Sequence, residues 1–496
     1  MRVRKVRLAT GGISVQVVGG GHDYKIVKHV GSTNDEAGIL KLLEVGYQFV
    51  RKSEKTIPLF PDFDKKKGND IVSMSKVDFV ELKYSFAYEF LEKYYKLCGF
   101  SSLEDKLLKD LAIIRIVEPC SKLRSLILLN KYFDIRYSKN ILYKGLLRFN
   151  KLKEKAEKIA FEYAKKHLSF DFSLVFFDVT TLYFETFKED KDNFRKPGFS
   201  KDGKHQQPQV LVGLVVTKEG FPISIESFEG NTFEGHTIIP TIEKFKNTHQ
   251  IENLTVVADA GMLSFDNIQK LVSKNIKYIV GARIGNLPLK LIKELSGSLN
   301  KTEGIYFQVE TDKGLLICDY STKRANKNRS DRKKQIQKAL DQINSNYKQN
   351  KRLRFLKETS KTTSILNQDL IEKDELLEGI KGYYTNLKDQ DPKLIVSRYK
   401  DLWHVEKAFR IAKSDLLARP IYHFKKESIK AHILIVFLSL CLSKAIELKN
   451  NKSIKTVKDM ILSVPDITLK DNITNQTYTK KLKNNYNQEV IKQLQY

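Results

Sequence analysis

Apolar and polar positions alternate in different ways along the chain, and each way predicts a different kind of element. Residues 1–55 carry short alternating runs, such as 13–18, separated by Gly11, Gly12, Gly19, Gly20 and Gly21, and read as β-rich. A helical spacing over 34–43 and a stretch with Pro58 and Pro61 follow. From 80 to 167 apolar residues recur at threes and fours, as at Leu107, Leu111, Ile114 and Val117, until Pro119 breaks the pattern. Residues 170–284 read as strands over 173–177, 209–217, 222–228, 254–258 and 277–282, with a helix over 264–274. The first three of these predict a meander, and the fourth follows a crossover containing 237–245.

Two further strands, 305–310 and 315–320, predict a hairpin around Thr311–Gly314. The segment that follows is rich in cations: Lys323, Arg324, Lys327, Arg329, Arg332, Lys333, Lys334 and Lys338, then Lys351, Arg352, Arg354 and Lys357. Helical spacing resumes over 393–413 and 429–448. The apolar run 433–443 is too short to cross a bilayer and predicts a buried core helix. Residues 449–496 are polar and rich in Lys and Asn, with one helical piece near 457–462. These shifts divide the chain into a small β-rich region (1–55), a helical region expected to bind DNA (56–169), an α/β core in two parts (170–284 and 391–448) interrupted by an insertion (285–390), and a polar tail (449–496).

Charge changes the picture most. The 496 residues hold 87 Lys and Arg against 59 Asp and Glu, a net charge of +28. Such an excess favours a polyanion partner, because each neutralised phosphate releases counterions. The four cysteines, Cys98, Cys120, Cys318 and Cys441, are isolated and form no C-x-x-C pair. That argues against a zinc knuckle and a disulfide framework and fits a reduced cytoplasm. The basic start of the chain lacks a following apolar stretch, so no secretory signal is expected. The glycine clusters do not form a phosphate-binding G-x-x-x-x-G-K-[ST] loop.

Two of the apolar strands end in a carboxylate: Asp178 after 173–177, and Asp259 after 254–258. A third acid, Glu406, lies on the helical pattern of 393–413. Tyr399, Glu406 and Lys413 are spaced by sevens, which on a regular helix puts them on one face, with Arg410 one turn beyond Glu406. Carboxylates at adjacent strand ends can bridge two Mg²⁺ ions for phosphodiester chemistry. Singly, each acid also fits a blander role: Asp178 as a cap beside Thr180 and Thr181, Glu406 as a solvated helix charge. His205 and His236 read as turn residues rather than ligands, since carboxylate-held Mg²⁺ does not require imidazole.

In this combination the chain resembles bacterial insertion-sequence transposases of the DDE class, whose catalytic fold is an RNase H-like mixed sheet with flanking helices. More narrowly it resembles the subgroup with a β-rich insertion and a Y-x2-R-x3-E-x6-K signature. Tyr399, Glu406 and Lys413 occupy the Tyr, Glu and Lys places, while Leu402 stands where the signature has Arg. Arg398, Lys407 and Arg410 are the nearby cations able to stand in, with Arg410 favoured. Further matches are the loop from Gly198 to His205, the turn from Gly230 to Glu234, the second-acid motif from Asp259 to Met262, the strand from Gly382 to Asn386, and the segment from Arg419 to His423.

The resemblance implies that Asp178, Asp259 and Glu406 hold two Mg²⁺ ions, with Mn²⁺ able to substitute, for DNA cleavage and transfer of 3′-OH ends to target DNA. It implies double-stranded DNA as partner, at both element ends and target, and self-association on that DNA. A cytoplasmic, nucleoid-associated protein without membrane or small-molecule cofactor is expected. Tyr399, Arg410, Lys413 and the insertion cations Lys323, Arg324, Arg329, Arg332 and Lys333 are the expected DNA contacts. Where relatives of this kind stack an extruded base on a Trp of the insertion, Tyr306, Phe307, Tyr320 or Phe355 would have to serve, or the step differs, because the single Trp403 lies on the helix of Glu406 instead. Two other readings stay open: a nuclease that cuts without strand transfer, and a decayed copy that only binds DNA.

Overall fold

An eight-stranded mixed sheet organises the larger part of the chain in the computed structural model, which describes residues 1–20, 24–54, 77–170, 173–186, 194–200, 203, 206–262, 264–344, 353–358, 364–472, 475, 477–482 and 485–494. The calls on Pro58, Pro61, His205, Lys351 and Arg352 lie outside the described residues. The chain divides into two compact units, one comprising Met1–Phe90, Ile127–Arg136 and Val457–Tyr496, the other Leu91–Leu126 and Tyr137–Thr456.

In the first unit, strands Arg2–Arg7, Ile13–Gly19 and Lys25–Thr33 form an antiparallel sheet. The alternation along the middle strand puts Val15 and Val17 against Val30 and Leu42, the latter on helix Glu36–Glu54. A second sheet pairs strand Asp466–Asp471 with both Thr477–Lys481 and Val77–Lys83. The tail that reads as merely polar therefore holds strands. Their alternation is too short to declare itself, and one partner lies almost four hundred residues earlier.

The second unit contains β1 (Leu174–Tyr183), β2 (Gln209–Val216), β3 (Pro222–Glu229), α1 (Ile238–Thr248), β4 (Leu254–Ala258) and β5 (Ile276–Ala282). β1, β2 and β3 form the expected antiparallel meander, α1 is the crossover, and β4 and β5 run parallel to β1. The hairpin strands β6 (Tyr306–Thr311) and β7 (Gly314–Tyr320) are not a separate layer. Through β8 (Ile380–Thr385) they extend the same sheet, giving the order β6-β7-β8-β5-β4-β1-β2-β3. This is the mixed α/β architecture expected of an RNase H-like sheet, widened at the β5 edge.

Between β7 and β8, the basic stretch folds as one long helix, α2 (Thr322–Asn344). Its inner face carries Ala325, Arg332 and Ala339, each seven residues from the next. Ala339 joins Phe355 and Ile371 in a small core of its own.

Two short helices follow β8: α3 (Pro392–Lys400) and α4 (Trp403–Arg410). α3 starts where Pro392 supplies the fixed φ of a first turn and the Asp391 carboxylate accepts from the Lys393 N–H at 2.9 Å. The predicted single helix over 393–413 is thus broken. Leu402 N–H bonds Tyr399 C=O and Val405 N–H bonds Leu402 C=O, a locally tightened i→i+3 pattern, and Ile411–Asp415 widens into a π turn.

α5 (Lys426–Asn450) is buried along nearly its whole length and packs on β3 and on helices Lys106–Val117 and Lys139–Phe149. It is long and apolar enough to cross a membrane, yet its apolar window is 94% buried within the protein. Ser439 Oγ donates to Ala112 C=O at 3.0 Å, satisfying a polar group in that interior.

Candidate active site

Asp178 is the first polar break in a strand otherwise packed on both faces: Leu174, Val175, Phe176 and Phe177 before it are buried, and so is Val179 after it. It lies mid-strand, not at the strand end that its sequence suggests, because β1 runs on to Tyr183 alongside β2. What stops is the neighbour. The β1–β4 pairing ends at Phe177 opposite Ala258, so Asp178 and Asp259 each follow the last register pair of two adjacent parallel strands. Strand spacing brings their backbones to within about 5 Å of each other at that pair. Asp178 is half-buried and Asp259 exposed. Each accepts from the next residue's N–H at 2.7 Å through Oδ1.

Tyr399, expected to touch DNA, is instead buried at the end of α3 and turns its hydroxyl inward, where it donates to Asp259 Oδ1 at 3.4 Å. A Cβ on residue 281 would stand 2.5 Å from that hydroxyl, so the approach requires Gly281 on β5. Burial holds the phenol well above its usual pKa, and the negative fields of Asp259, Glu406 and Asp178 add to the effect. The three acids, 228 residues apart from first to last in sequence number, therefore all act electrostatically on one side chain, and Asp259 alone of them is hydrogen-bonded to it. Glu406 is exposed on α4, which packs on β1 and β2.

The remaining residues of the signature separate. Arg410 is exposed in the last turn of α4. Lys413 lies in the π turn and lines a narrow apolar cavity with Thr180 and Leu182 of β1 and Val212 and Leu214 of β2. Leu402 is 5% exposed and faces the interior, not the face carrying Glu406. The extra tight turn at 401–405 and the π turn after 410 shift the helical phase, so spacing by sevens does not put Tyr399, Glu406 and Lys413 on one helix face.

Three of the insertion cations expected to contact DNA are paired with acids of the protein. Arg332 is 8% exposed and pairs with Glu378, with Asp374 at 3.5 Å and Glu375 at 3.7 Å. Arg329 pairs with the same buried Glu378 at 2.5 Å. Arg324 lies 3.6 Å from Asp319. Lys323 and Lys333 are exposed on α2, as are Lys327, Lys334 and Lys338. Of the four aromatic candidates for base stacking, Phe307, Tyr320 and Phe355 are buried and Tyr306 is partly exposed; Trp403 is 51% exposed.

Sequence reasoning missed three groups. Asp319, buried on β7, accepts from Tyr383 Oη at 2.9 Å and lies 3.7 Å from Lys400; a charge inside an apolar strand was the available signal. Gln209, at the head of β2, donates to both Phe199 C=O and Gly230 C=O at 2.9 Å, tying together the two loops that carry the glycine motifs. The third is Lys381 on β8, beside Tyr399.

An all-oxygen set of carboxylates suits Mg²⁺, which keeps several waters and is held by one or two protein carboxylates plus substrate phosphate. Asp178 and Asp259 side by side fit that requirement. Among the described residues no three His, Cys, Asp or Glu side chains are gathered into a ready-made cage.

A family model described as the transposase DDE domain matches residues 169–442, which span β1 to α5 and all three acids. No curated protein matches the chain. Among solved structures, a piggyBac transposase synaptic complex with hairpin DNA aligns over 76% of this chain and 70% of that one, at 9% identity and a TM-score of 0.35, too distant to guide the site. The family match covers more than half of the chain and contains the whole of β1 to β5, so this protein belongs to the DDE-domain transposases.

Proposed function

We propose that Asp178, Asp259 and Glu406 are the catalytic carboxylates of this transposase, holding two divalent ions, Mg²⁺ by preference and Mn²⁺ in its place. The observation that carries this reading is the register of β1 and β4, which puts Asp178 and Asp259 side by side just past their last pair, with the Tyr399 hydroxyl on Asp259; the charges of all three acids act on that hydroxyl. When bound, the ions would lower the pKa of water and stabilise charge on phosphate oxygens. The chain's own part is positioning: β1 and β4 fix Asp178 and Asp259 as neighbours, the Tyr399 hydroxyl holds Asp259, and α4 presents Glu406 beside the sheet. Water adds to phosphorus and the 3′-oxygen leaves with a proton; that 3′-OH then attacks a target phosphodiester, forming a new 3′-O–P bond as the target's own 3′-oxygen leaves and takes up the proton. No covalent enzyme–DNA link is involved, and the buried Tyr399 is not a nucleophile.

DNA is the partner, bound as element ends and target, with self-association on it. Lys323, Lys327, Lys334 and Lys338 are spaced by four and seven on the exposed face of α2 and would follow a phosphate backbone. Arg410, exposed one turn from Glu406, would meet phosphate near the cut.

The test uses a labelled duplex copied from the DNA flanking the gene, with Mg²⁺ and a target plasmid. Joined products that vanish in Asp178→Asn, Asp259→Asn and Glu406→Gln, with gel shifts retained, support the reading. Cut products without joining point to a nuclease. Gel shifts without cutting point to a copy that only binds. Unimpaired cleavage in any of the three variants removes that acid from the site.

A further inference from the structure

Leu402 leaves the site without the cation that the signature places there, and the neighbours in sequence do not all replace it. Lys407 Nζ is 3.3 Å from the buried Glu447 and so points away to an ion pair of its own. A cation arrives from a different element. Lys381 on β8 sits opposite Asp319 in the register with β7. Its ammonium lies 4.4 Å from the centroid of the Tyr399 ring and 5.9 Å from that of Tyr383, two rings that are themselves 4.8 Å apart. Tyr399 in turn reaches Asp259.

Asp319 does not need Lys381, since it is already served by Tyr383, Arg324 and Lys400. Lys381 is half-buried and feels Asp259, Asp319 and Glu406, while burial and Arg324 hold its pKa below the usual lysine value. An ammonium held over an aromatic face, partly withdrawn from water, and next to carboxylates that are themselves metal ligands on the reading above, is suited to a further anion. The anion that enters such a site is a DNA phosphate.

We propose that Lys381 contacts the phosphate undergoing cleavage, supplying from β8 the cation that Leu402 cannot supply from the catalytic helix. This rests on Asp178, Asp259 and Glu406 being the catalytic acids. Its role is electrostatic: phosphorus gains negative charge as the attacking oxygen adds, and a fixed ammonium beside it lowers the barrier without changing its own bonding.

The experiment compares full-length wild type, Lys381→Met, Lys381→Gln and Lys381→Arg in single-turnover cleavage of the flanking-DNA duplex, with gel-shift affinity and Mn²⁺ binding by electron paramagnetic resonance on the same preparations. Lys381→Met should slow cleavage by about 100-fold or more, the usual cost of losing one preorganised charge stabiliser. Its DNA affinity and bound Mn²⁺ should match wild type, and Lys381→Arg should recover most of the rate. Lys381→Gln carries the same test should the Met variant fail to fold. Wild-type rates without the ammonium overturn the proposal. Loss of bound Mn²⁺ also overturns it, since Lys381 would then serve the carboxylates rather than phosphate, as does an Arg variant that folds but is no better than Met. Glu406→Gln is run in parallel: if it still cuts, the assignment of the acids fails, whatever Lys381 does.

Discussion

Tyr399 gives its hydroxyl proton to Asp259 across 140 residues of sequence, and one glycine, Gly281, leaves the room for it. The bond adds to that from the Ala260 N–H on the same carboxylate oxygen of an acid just past the end of its strand. Outer partners of metal-binding carboxylates typically carry about 10- to 100-fold in metal affinity or activity. Tyr399→Phe is therefore expected to raise the Mg²⁺ concentration for half-maximal cleavage by about that factor, with DNA binding intact. An unchanged Mg²⁺ titration would show that the bond does not serve the metal.

Gly281→Ala tests the same contact from the other side. The added methyl would meet the Tyr399 hydroxyl at 2.5 Å and displace it. The single variant should lose activity at least as severely as Tyr399→Phe. Removing the hydroxyl removes the clash, so the double variant Gly281→Ala/Tyr399→Phe should be no worse than Tyr399→Phe alone. Additive losses, measured by cleavage rate and thermal melting, would place the damage of Gly281→Ala elsewhere.

Leu402→Arg would place an Arg where the Y-x2-R-x3-E-x6-K pattern that the sequence resembles has one. Leu402 is buried, so the substitution forces a guanidinium into the interior without a matched anion. Urea unfolding should show a loss of several kcal/mol, of the order of an uncompensated buried charge at about 3–5 kcal/mol. A stable and faster enzyme would mean that α4 can rotate to expose residue 402.

The cations of α2 should divide into two classes. Arg332→Ala leaves the buried Glu378 with one partner fewer and should lower the melting temperature sharply. Replacing Lys323, Lys327, Lys334 and Lys338 with Gln should leave melting alone and weaken DNA binding across sequences. The slope of log affinity against log salt should flatten by up to about 4 units, roughly one per lost phosphate contact. An unchanged slope would mark the lysines as a solvated face.

His249 gives a pH handle away from the active site. Its ring stacks on Phe161 at 3.7 Å, and burial, helped by Lys158, pushes its pKa down to about 4 from the ordinary 6.5. In the unfolded chain it protonates near the ordinary value, so the stability it contributes is whole above pH 6.5 and drains away as pH falls toward 4. Urea midpoints of wild type should fall between pH 7 and 5, and His249→Phe should flatten that fall. Parallel curves for the two proteins would show that His249 does not titrate on unfolding.

The central sheet was legible because its strands are continuous apolar runs, and polar breaks such as Asp178 and Asp259 interrupt or follow them, although the break at Asp178 does not end its strand. Asp178 and Asp259 stood out for that reason, and the crossover between their strands followed from the segment around Thr237–Phe245. The phase of the catalytic helix was not legible: a turn tightened at Leu402 and a π turn after Arg410 leave no mark in residue spacing. The fate of the arginines was hidden as well, since Arg332 reads as one more cation until Glu378 is seen to fold back against it. Lys381 could not be singled out in sequence, because its meaning comes from Tyr399 on another element.

Tyr320 and Ile380 are register partners, so the chain leaves the sheet and returns to it at a single rung. The described residues between 321 and 379, including α2 and the small core around Ala339, Phe355 and Ile371, thus lie between two adjacent strands of the sheet, with helix Gln368–Leu376 also packed on helix Leu289–Leu299. Closing a loop depends only weakly on its length. A change in the length or basic face of this segment leaves the rung in place, and with it Asp259 and Asp178, on strands two and three places beyond β8. If the lysines of α2 hold DNA as proposed, that hold can be retuned apart from the three acids.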